Sequence, residues 1–233
     1  MELNFADQRP AYKLRISASL IAAQWWNLKN TVNNLETNGL EMLHFDIEDG
    51  HFTPFLSMGT KIIHELRRHS RLVFDVHLAV ENPEWHIHDL VEIGVERISI
   101  HWEATQSPLR ILEEIKSHKI KAGLVFNPST PIPDLTGLLP YLDFVNLQST
   151  DPFVNNGKFI FSTLDKLASC YNKYAQDKLE WVVDGGITNE NIITIMSSHA
   201  DVVVVGRYLF EGNIKEKIEL LNRAVREIPF IQI

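Results

Sequence analysis

The 233-residue chain has a single cysteine, Cys170, which excludes a disulfide within the chain and a zinc-thiolate centre. Cys170 lies in the amphipathic segment 159–174 and reads as a packing residue rather than a nucleophile. No apolar run approaches the ~20 residues that a membrane span needs, and no charged-then-apolar leader opens the sequence. No basic stripe offsets the formal net charge of −8, so an extended nucleic-acid surface is excluded, while a local basic pocket for phosphate is not. No linker or low-complexity stretch interrupts the pattern. The expectation is a soluble, cytoplasmic protein with neither membrane nor nucleic acid among its partners. What the chain does have is core material: with 45% apolar and 22% charged residues it can bury a sizeable core as one domain.

Short apolar runs rich in β-branched residues alternate with longer segments of helical period. Strands are expected at 14–18, 42–46, 72–76, 97–101, 121–126, 144–147, 180–183 and 202–205. Helices are expected at 25–37, 60–68, 83–93, 108–117, 162–175, 189–198 and 214–226, with a weaker, proline-crowded segment at 133–139. Eight strand–helix alternations in this length predict a closed (β/α)8 barrel, an eight-stranded parallel TIM barrel spanning 14–233 behind a leading extension, 1–13. The strands are apolar on both faces, as a sheet packed between interior and helices requires.

Three of these strands end in matched polar residues. Behind the apolar run 40–43 comes His44-Phe45-Asp46, and side chains that alternate with a period of two put His44 and Asp46 on one face. Asp75-Val76-His77 ends the third strand and Val183-Asp184-Gly185-Gly186 the seventh. In this fold the active site forms at the carboxyl ends of the strands. Two imidazoles and two carboxylates, His44, Asp46, His77 and Asp184, therefore make a site for one divalent metal. Zinc suits two nitrogens and two oxygens best, and iron(II), manganese or cobalt suit them nearly as well. His101 also ends a strand and reads as a structural neighbour of the site rather than a ligand. His51 reads as a loop-shaping residue, and His86 and His88 as surface residues.

The segments His44-Phe45-Asp46-Ile47-Glu48-Asp49-Gly50-His51-Phe52, Asp75-Val76-His77-Leu78, Gly123-Leu124-Val125-Phe126-Asn127-Pro128 and Val183-Asp184-Gly185-Gly186-Ile187, in this order and spacing, resemble the ribulose-phosphate 3-epimerase family over 16–210. The resemblance implies a metal-dependent epimerase that inverts carbon 3 of a ketose phosphate of the ribulose 5-phosphate/xylulose 5-phosphate type. It implies His44, Asp46, His77 and Asp184 as ligands of one divalent ion, with Asp46 and Asp184 doubling as the acid/base pair, and association as a homo-oligomer. Such an inversion removes a proton from one face of a carbon beside a carbonyl and returns one to the other face. It needs two carboxylates and a positive charge to hold the enediolate between those steps.

The chain also departs from the family pattern. Family members carry a Gly-rich loop after strand six, whereas this chain reads Thr150-Asp151-Pro152-Phe153-Val154-Asn155-Asn156-Gly157-Lys158. Asn155 and Asn156 tolerate left-handed backbone, so the loop keeps the capacity to turn and donate amides. Gly185 and Gly186, with Gly206 and Arg207 after strand eight, occupy the usual phosphate position of the fold. The Arg207 guanidinium suits bidentate phosphate binding unless it pairs with Glu211. Where the family places a serine after the first strand and methionines near the metal, the chain reads Ala22, Glu48, Ala79 and Gln148. Glu48 and Gln148 are candidate substrate contacts, Glu48 having the alternative of turning away to satisfy a backbone amide. A ketohexose 6-phosphate is the competing substrate for so polar a site. A lyase that works through a lysine is disfavoured, because no lysine stands at 46–49 or at the ends of strands three and seven. A non-catalytic sugar-phosphate-binding barrel accounts for the lost glycines but leaves two acid/base aspartates without a use.

Overall fold

The β-branched and apolar runs form eight strands: β1 Arg15–Ser19, β2 Met42–Glu48, β3 Val73–Ala79, β4 Arg97–His101, β5 Lys121–Phe126, β6 Phe144–Gln148, β7 Glu180–Asp184 and β8 Val202–Val205. The structure, a computed structural model, describes residues 14–154 and 157–226. The expected extension 1–13 and the candidate residues Asn155 and Asn156 lie outside the described residues. All strand pairs are parallel, and β8 closes onto β1 from Arg15↔Val202 to Ala18↔Val205, giving a closed barrel in chain order.

The helices are α1 Leu28–Thr37, α2 Thr60–Arg67, α3 Glu84–Ile93, α4 Pro108–Ser117, α5 Ser162–Lys173, α6 Ile192–Ser197, α7 Arg207–Phe210 and α8 Ile214–Arg226. Two expected helices start three residues later than their periodicity suggests. Segment 25–37 begins as a 3-10 turn, Trp25–Asn27, and α6 starts only at Ile192. Segment 133–139 is not helical: Pro131, Pro133 and Pro140 each lack the N–H a helix needs, and only a 3-10 turn, Leu139–Tyr141, forms there. No periodic signal announces the four-residue α7, which begins at Arg207.

The main apolar core lies between the strands and their outer helices, around residues such as Leu43, Phe45, Phe74, Leu124 and Trp181. A second cluster, Met42, Phe144, Val182, Val202 and Val204, fills the barrel interior. Gly123 makes this filling possible, since a Cβ there would stand 2.3 Å from Cε2 of Phe144. The guanidinium of Arg97 lies 4.0 Å over the same ring. Trp26, 83% exposed, belongs to the surface rather than to the core. Among the described residues no helix is long and apolar enough to cross a membrane.

Candidate active site

Register carries the polar strand ends to one place. His44 pairs with Asp75 and Asp46 with His77 across β2 and β3, while Gln148 pairs with Asp184 across β6 and β7. Because β2 and β3 run on to Glu48 and Ala79, both of those residues are strand residues lining the cavity rather than loop residues. The cavity, of about 1140 Å³, opens at the carboxyl ends of the strands, where Ser19, Asp46, Glu48, His77, Gln148 and Asp184 all reach it.

His44, Asp46, His77 and Asp184 each offer one ligand atom, and these atoms lie within 4.8 Å of one another. His44 is fully buried, and its Nε2 stands 3.3 Å from Oδ1 of Asp46 and 3.4 Å from Oδ2 of Asp184, without a hydrogen bond to either. Nδ1 of His77 is 3.1 Å from Asp46 Oδ1 and 3.9 Å from Asp184 Oδ2. Behind His44, its Nδ1 lies 2.9 Å from Oδ2 of Asp75, whose Oδ1 accepts a hydrogen bond from Arg97 Nε at 3.1 Å. Arg97 continues to Glu180, and Glu180 to Arg15. Behind His77, the Nε2 atoms of His77 and His101 are 2.8 Å apart, and His101 Nδ1 is 3.2 Å from Oε2 of Glu103.

The electrostatics of the cluster favour a cation. Burial disfavours charge on His44, yet Asp46 and Asp184 outweigh it and raise its pKa well above the usual imidazole value. Burial likewise opposes ionisation of Asp46, but His44 and His77 hold its carboxyl far below the ordinary range. Glu48 behaves differently: desolvation, with Asp46 beside it, pushes it up to about 7. Burial lowers His101 to about 4, although Glu103 opposes the shift.

Two carboxylate–imidazole pairs and an imidazole nitrogen without a hydrogen-bond partner, all buried or nearly so, fit a divalent cation. His44 would bind through Nε2, because Asp75 takes its Nδ1–H, and His77 would bind through Nδ1.

The aspartates are also held by neighbours that the strand-end pattern does not announce. Ser19 Oγ donates to Oδ2 of Asp46 at 2.7 Å. The serine at the end of the first strand is thus present as Ser19. Ala22, three residues further on, lines the cavity near Gly206. Oδ2 of Asp184 accepts hydrogen bonds from Asn146 Nδ2 and Gln148 Nε2, both at 3.1 Å. Gln148 is therefore engaged with Asp184 as well as facing the cavity. Asn146 sits at the inward position two residues before Gln148, a period-two relation that was readable in the sequence. Glu48 does not turn away. Its amide is satisfied by Ser57 Oγ at 2.8 Å, and its carboxylate, facing the cavity, has Thr53 Oγ1 at 3.4 Å.

Gly185 and Gly186 both have positive φ, +110° and +66°, and press against the loop after β6. A Cβ on Gly185 would stand 2.4 Å from Thr150 Oγ1. Ser149 Oγ ties the two loops together, its single O–H shared between the carbonyls of Asp184 and Gly185 at 2.9 and 2.7 Å. Gly206 and the exposed Arg207 border the same cavity, and Arg207 makes no ion pair with Glu211 or any other described residue.

Fold and site together define a (β/α)8-barrel enzyme with an imidazole–carboxylate centre at the carboxyl mouth. The Ribulose-phosphate 3 epimerase family model matches residues 15–210, and the chain belongs to that family, an isomerase of the carbohydrate epimerase class. It is 35% identical to ribulose-phosphate 3-epimerase of Aquifex aeolicus, covering 91% of this chain and 96% of that one. It is 30% identical to ribulose-phosphate 3-epimerase of Bacillus subtilis, covering 88% and 95% respectively. Among solved structures it resembles 3-keto-L-gulonate-6-phosphate decarboxylase from Vibrio cholerae, with a TM-score of 0.69 at 12% identity over 93% of this chain and 99% of that one. It also resembles phosphoribosyl anthranilate isomerase from Thermus thermophilus, with a TM-score of 0.65 at 13% identity over 93% of this chain and all (100%) of that one. At these identities the likeness is one of fold.

Proposed function

We propose that the protein is a metal-dependent epimerase that inverts carbon 3 of a ketose phosphate by proton transfer between two aspartates. The observation that carries this reading is the placement of Asp46 and Asp184, from separate strands, around one unpartnered imidazole nitrogen at the cavity floor.

In this reading one aspartate takes the carbon-3 proton and the other returns a proton to the opposite face, through an enediolate. Ser19 holds one carboxylate and Asn146 with Gln148 the other, so that each is fixed in orientation before the proton moves. His44, Asp46, His77 and Asp184 would hold the divalent ion; zinc fits this donor set best, with iron(II), manganese and cobalt close behind. When bound, the ion supplies positive charge against the negative charge that develops on the substrate oxygens.

The phosphate binds at the loops after β7 and β8, with the backbone of Gly185, Gly186 and Gly206 and the exposed Arg207 guanidinium around it. The pentulose 5-phosphate pair of the family is the first substrate to test. A ketohexose 6-phosphate is a second reading, favoured by the Glu48 carboxylate, which faces the cavity, forms no ion pair with a lysine or arginine among the described residues and suits an additional substrate hydroxyl.

The experiment is proton exchange in deuterated water, with metal-loaded protein, ribulose 5-phosphate and a panel of ketohexose 6-phosphates, followed by NMR at carbon 3. Label with inversion on one sugar is the expected result and identifies the substrate. Metal-loaded protein that labels none of them counts against the epimerase reading and for the sugar-phosphate binder.

A further inference from the structure

The mechanism above uses His77 as a ligand and leaves the two residues behind it without a role. His101 ends β4 with its side chain wholly buried, and the ring of Phe52 packs against it at a centroid distance of 4.6 Å. Its Nε2 lies 2.8 Å from Nε2 of His77, and its Nδ1 lies 3.2 Å from a carboxylate oxygen of Glu103. At its other ring nitrogen His77 meets a carboxylate, Oδ1 of Asp46 at 3.1 Å, and when a cation takes the place of a proton in that contact one arrangement of protons remains along the row for neutral imidazoles. A carboxylate only accepts, so the proton of His101 sits on Nδ1 and points at Glu103. Nε2 of His101 is then a bare acceptor, and the 2.8 Å contact requires His77 to donate its Nε2–H. That leaves Nδ1 of His77, which stands 3.1 Å from Oδ1 of Asp46 and 3.9 Å from Oδ2 of Asp184, with a lone pair for the cation.

We propose that His101 and Glu103 are a positioning pair that sets the tautomer of His77, so that its Nδ1 is presented to a divalent cation. The inference rests on the metal reading given above and adds two residues to it. His44 reaches the same state by a shorter route, through one carboxylate, Asp75. Metal-bound imidazoles generally hand their second N–H to such a partner, which fixes ring orientation and raises ligand basicity. Here the partner of His77 is another imidazole, and the carboxylate stands one residue further out.

Glu103 is itself anchored. Its Oε1 accepts the backbone N–H of Asn127 at 2.9 Å and the hydroxyl of Thr130. Nζ of Lys166 pins that loop by donating to the carbonyls of Asn127, Pro128 and Thr130, at 3.1, 2.9 and 2.6 Å. The row from His77 to the β5 loop is thus held at both ends, by the metal-site carboxylates and by a lysine on α5.

The test measures metal affinity directly, by competition of Zn²⁺ with a chromogenic chelator, together with the visible spectrum of the Co²⁺-loaded protein and circular dichroism to establish folding. The variants are His101→Leu, which removes the acceptor, His101→Gln, which restores one, and Glu103→Gln, which leaves His101 in place and removes the carboxylate. Loss of such a partner is expected to weaken Zn²⁺ binding about 10- to 100-fold in His101→Leu, with an altered Co²⁺ spectrum. His101→Gln should recover part of the loss, and Glu103→Gln should lie between wild type and His101→Leu. Folded His101→Leu that binds Zn²⁺ within twofold of wild type overturns the proposal. Should that variant not fold, Glu103→Gln within twofold of wild type overturns it. Wild-type protein that takes up neither Zn²⁺ nor Co²⁺ overturns the metal reading itself, and the two failures are thereby told apart.

Discussion

His44 and Asp75 stand opposite one another in register on adjacent strands, and their side chains meet with Nδ1 2.9 Å from Oδ2 inside the barrel. The contact directs Nε2 of His44 toward Asp46 and Asp184, and it joins the candidate metal site to the Asp75–Arg97 pair beneath it. A change in the barrel interior is therefore expected to be felt at the cavity floor.

Asp75→Asn should show this. The Arg97 side chain is 2% exposed and would keep only Glu180 as a charged partner, so the expected loss is about 3 kcal/mol, as for a broken buried pair. Urea unfolding measures that loss, and Zn²⁺ affinity should fall with it. Unchanged stability would mean that Glu180 alone balances the guanidinium.

The same pair makes stability depend on acid. Burial opposes ionisation of Asp75, but Arg97 and His44 hold its pKa down at about 2, below the ordinary carboxylate value. A carboxylate lowered on folding contributes fully above its unfolded pKa, near 4, and loses that contribution as pH falls through the folded value. The unfolding free energy from urea titrations should therefore drop between about pH 4 and pH 2, by roughly 2 kcal/mol from this group. In Asp75→Asn that share of the acid dependence should vanish.

Asp184→Asn, studied at saturating metal, should reduce epimerisation about 10²- to 10⁴-fold, the usual contribution of a positioned proton-transfer group. One epimer should still exchange its carbon-3 proton with solvent through Asp46. NMR of both epimers in deuterated water separates the two behaviours, and inversion at the parental rate would contradict the two-aspartate reading.

For Arg207→Ala, the expected change is a rise of about 10-fold or more in KM for the phosphorylated sugar, with little effect on a dephosphorylated analogue. Steady-state kinetics on the two substrates make the comparison. Equal losses on both would remove Arg207 from the phosphate site.

Gly185→Ala combines a left-handed φ of +110° with a Cβ 2.4 Å from Thr150 Oγ1. The expected cost is about 1–3 kcal/mol, together with a displaced loop after β6. Adding Thr150→Ala should recover part of the stability but not all, because the backbone strain persists. Thermal unfolding of the single and double variants measures both contributions.

The legible part of the site was the part written with a period of two. His44 and Asp46 share a face because they are two residues apart, and so do Asp75 and His77. Eight β-branched runs with helical segments between them were sufficient for the barrel. Helix lengths were less legible, since prolines and the 3-10 turn Trp25–Asn27 shorten segments whose apolar spacing continues. Ser19 was passed over because a serine in an apolar run reads as filler until the neighbouring strand brings Asp46 to it. His101 and Glu103 show no chemistry in their own segment, and their role depends on β3 lying beside β4.

The sequence by itself determined which residue types end which strands, and on which face of each strand they lie, because side-chain direction in an extended chain is a local property. The family was readable from that order alone. Only the tertiary structure decided which nitrogen of each imidazole faces the carboxylates, that Gln148 and Asn146 hold Asp184, and that Arg207 pairs with no carboxylate among the described residues. Those are contacts between strands and loops far apart in the chain, and they exist only once β8 has closed onto β1 and set every register at once.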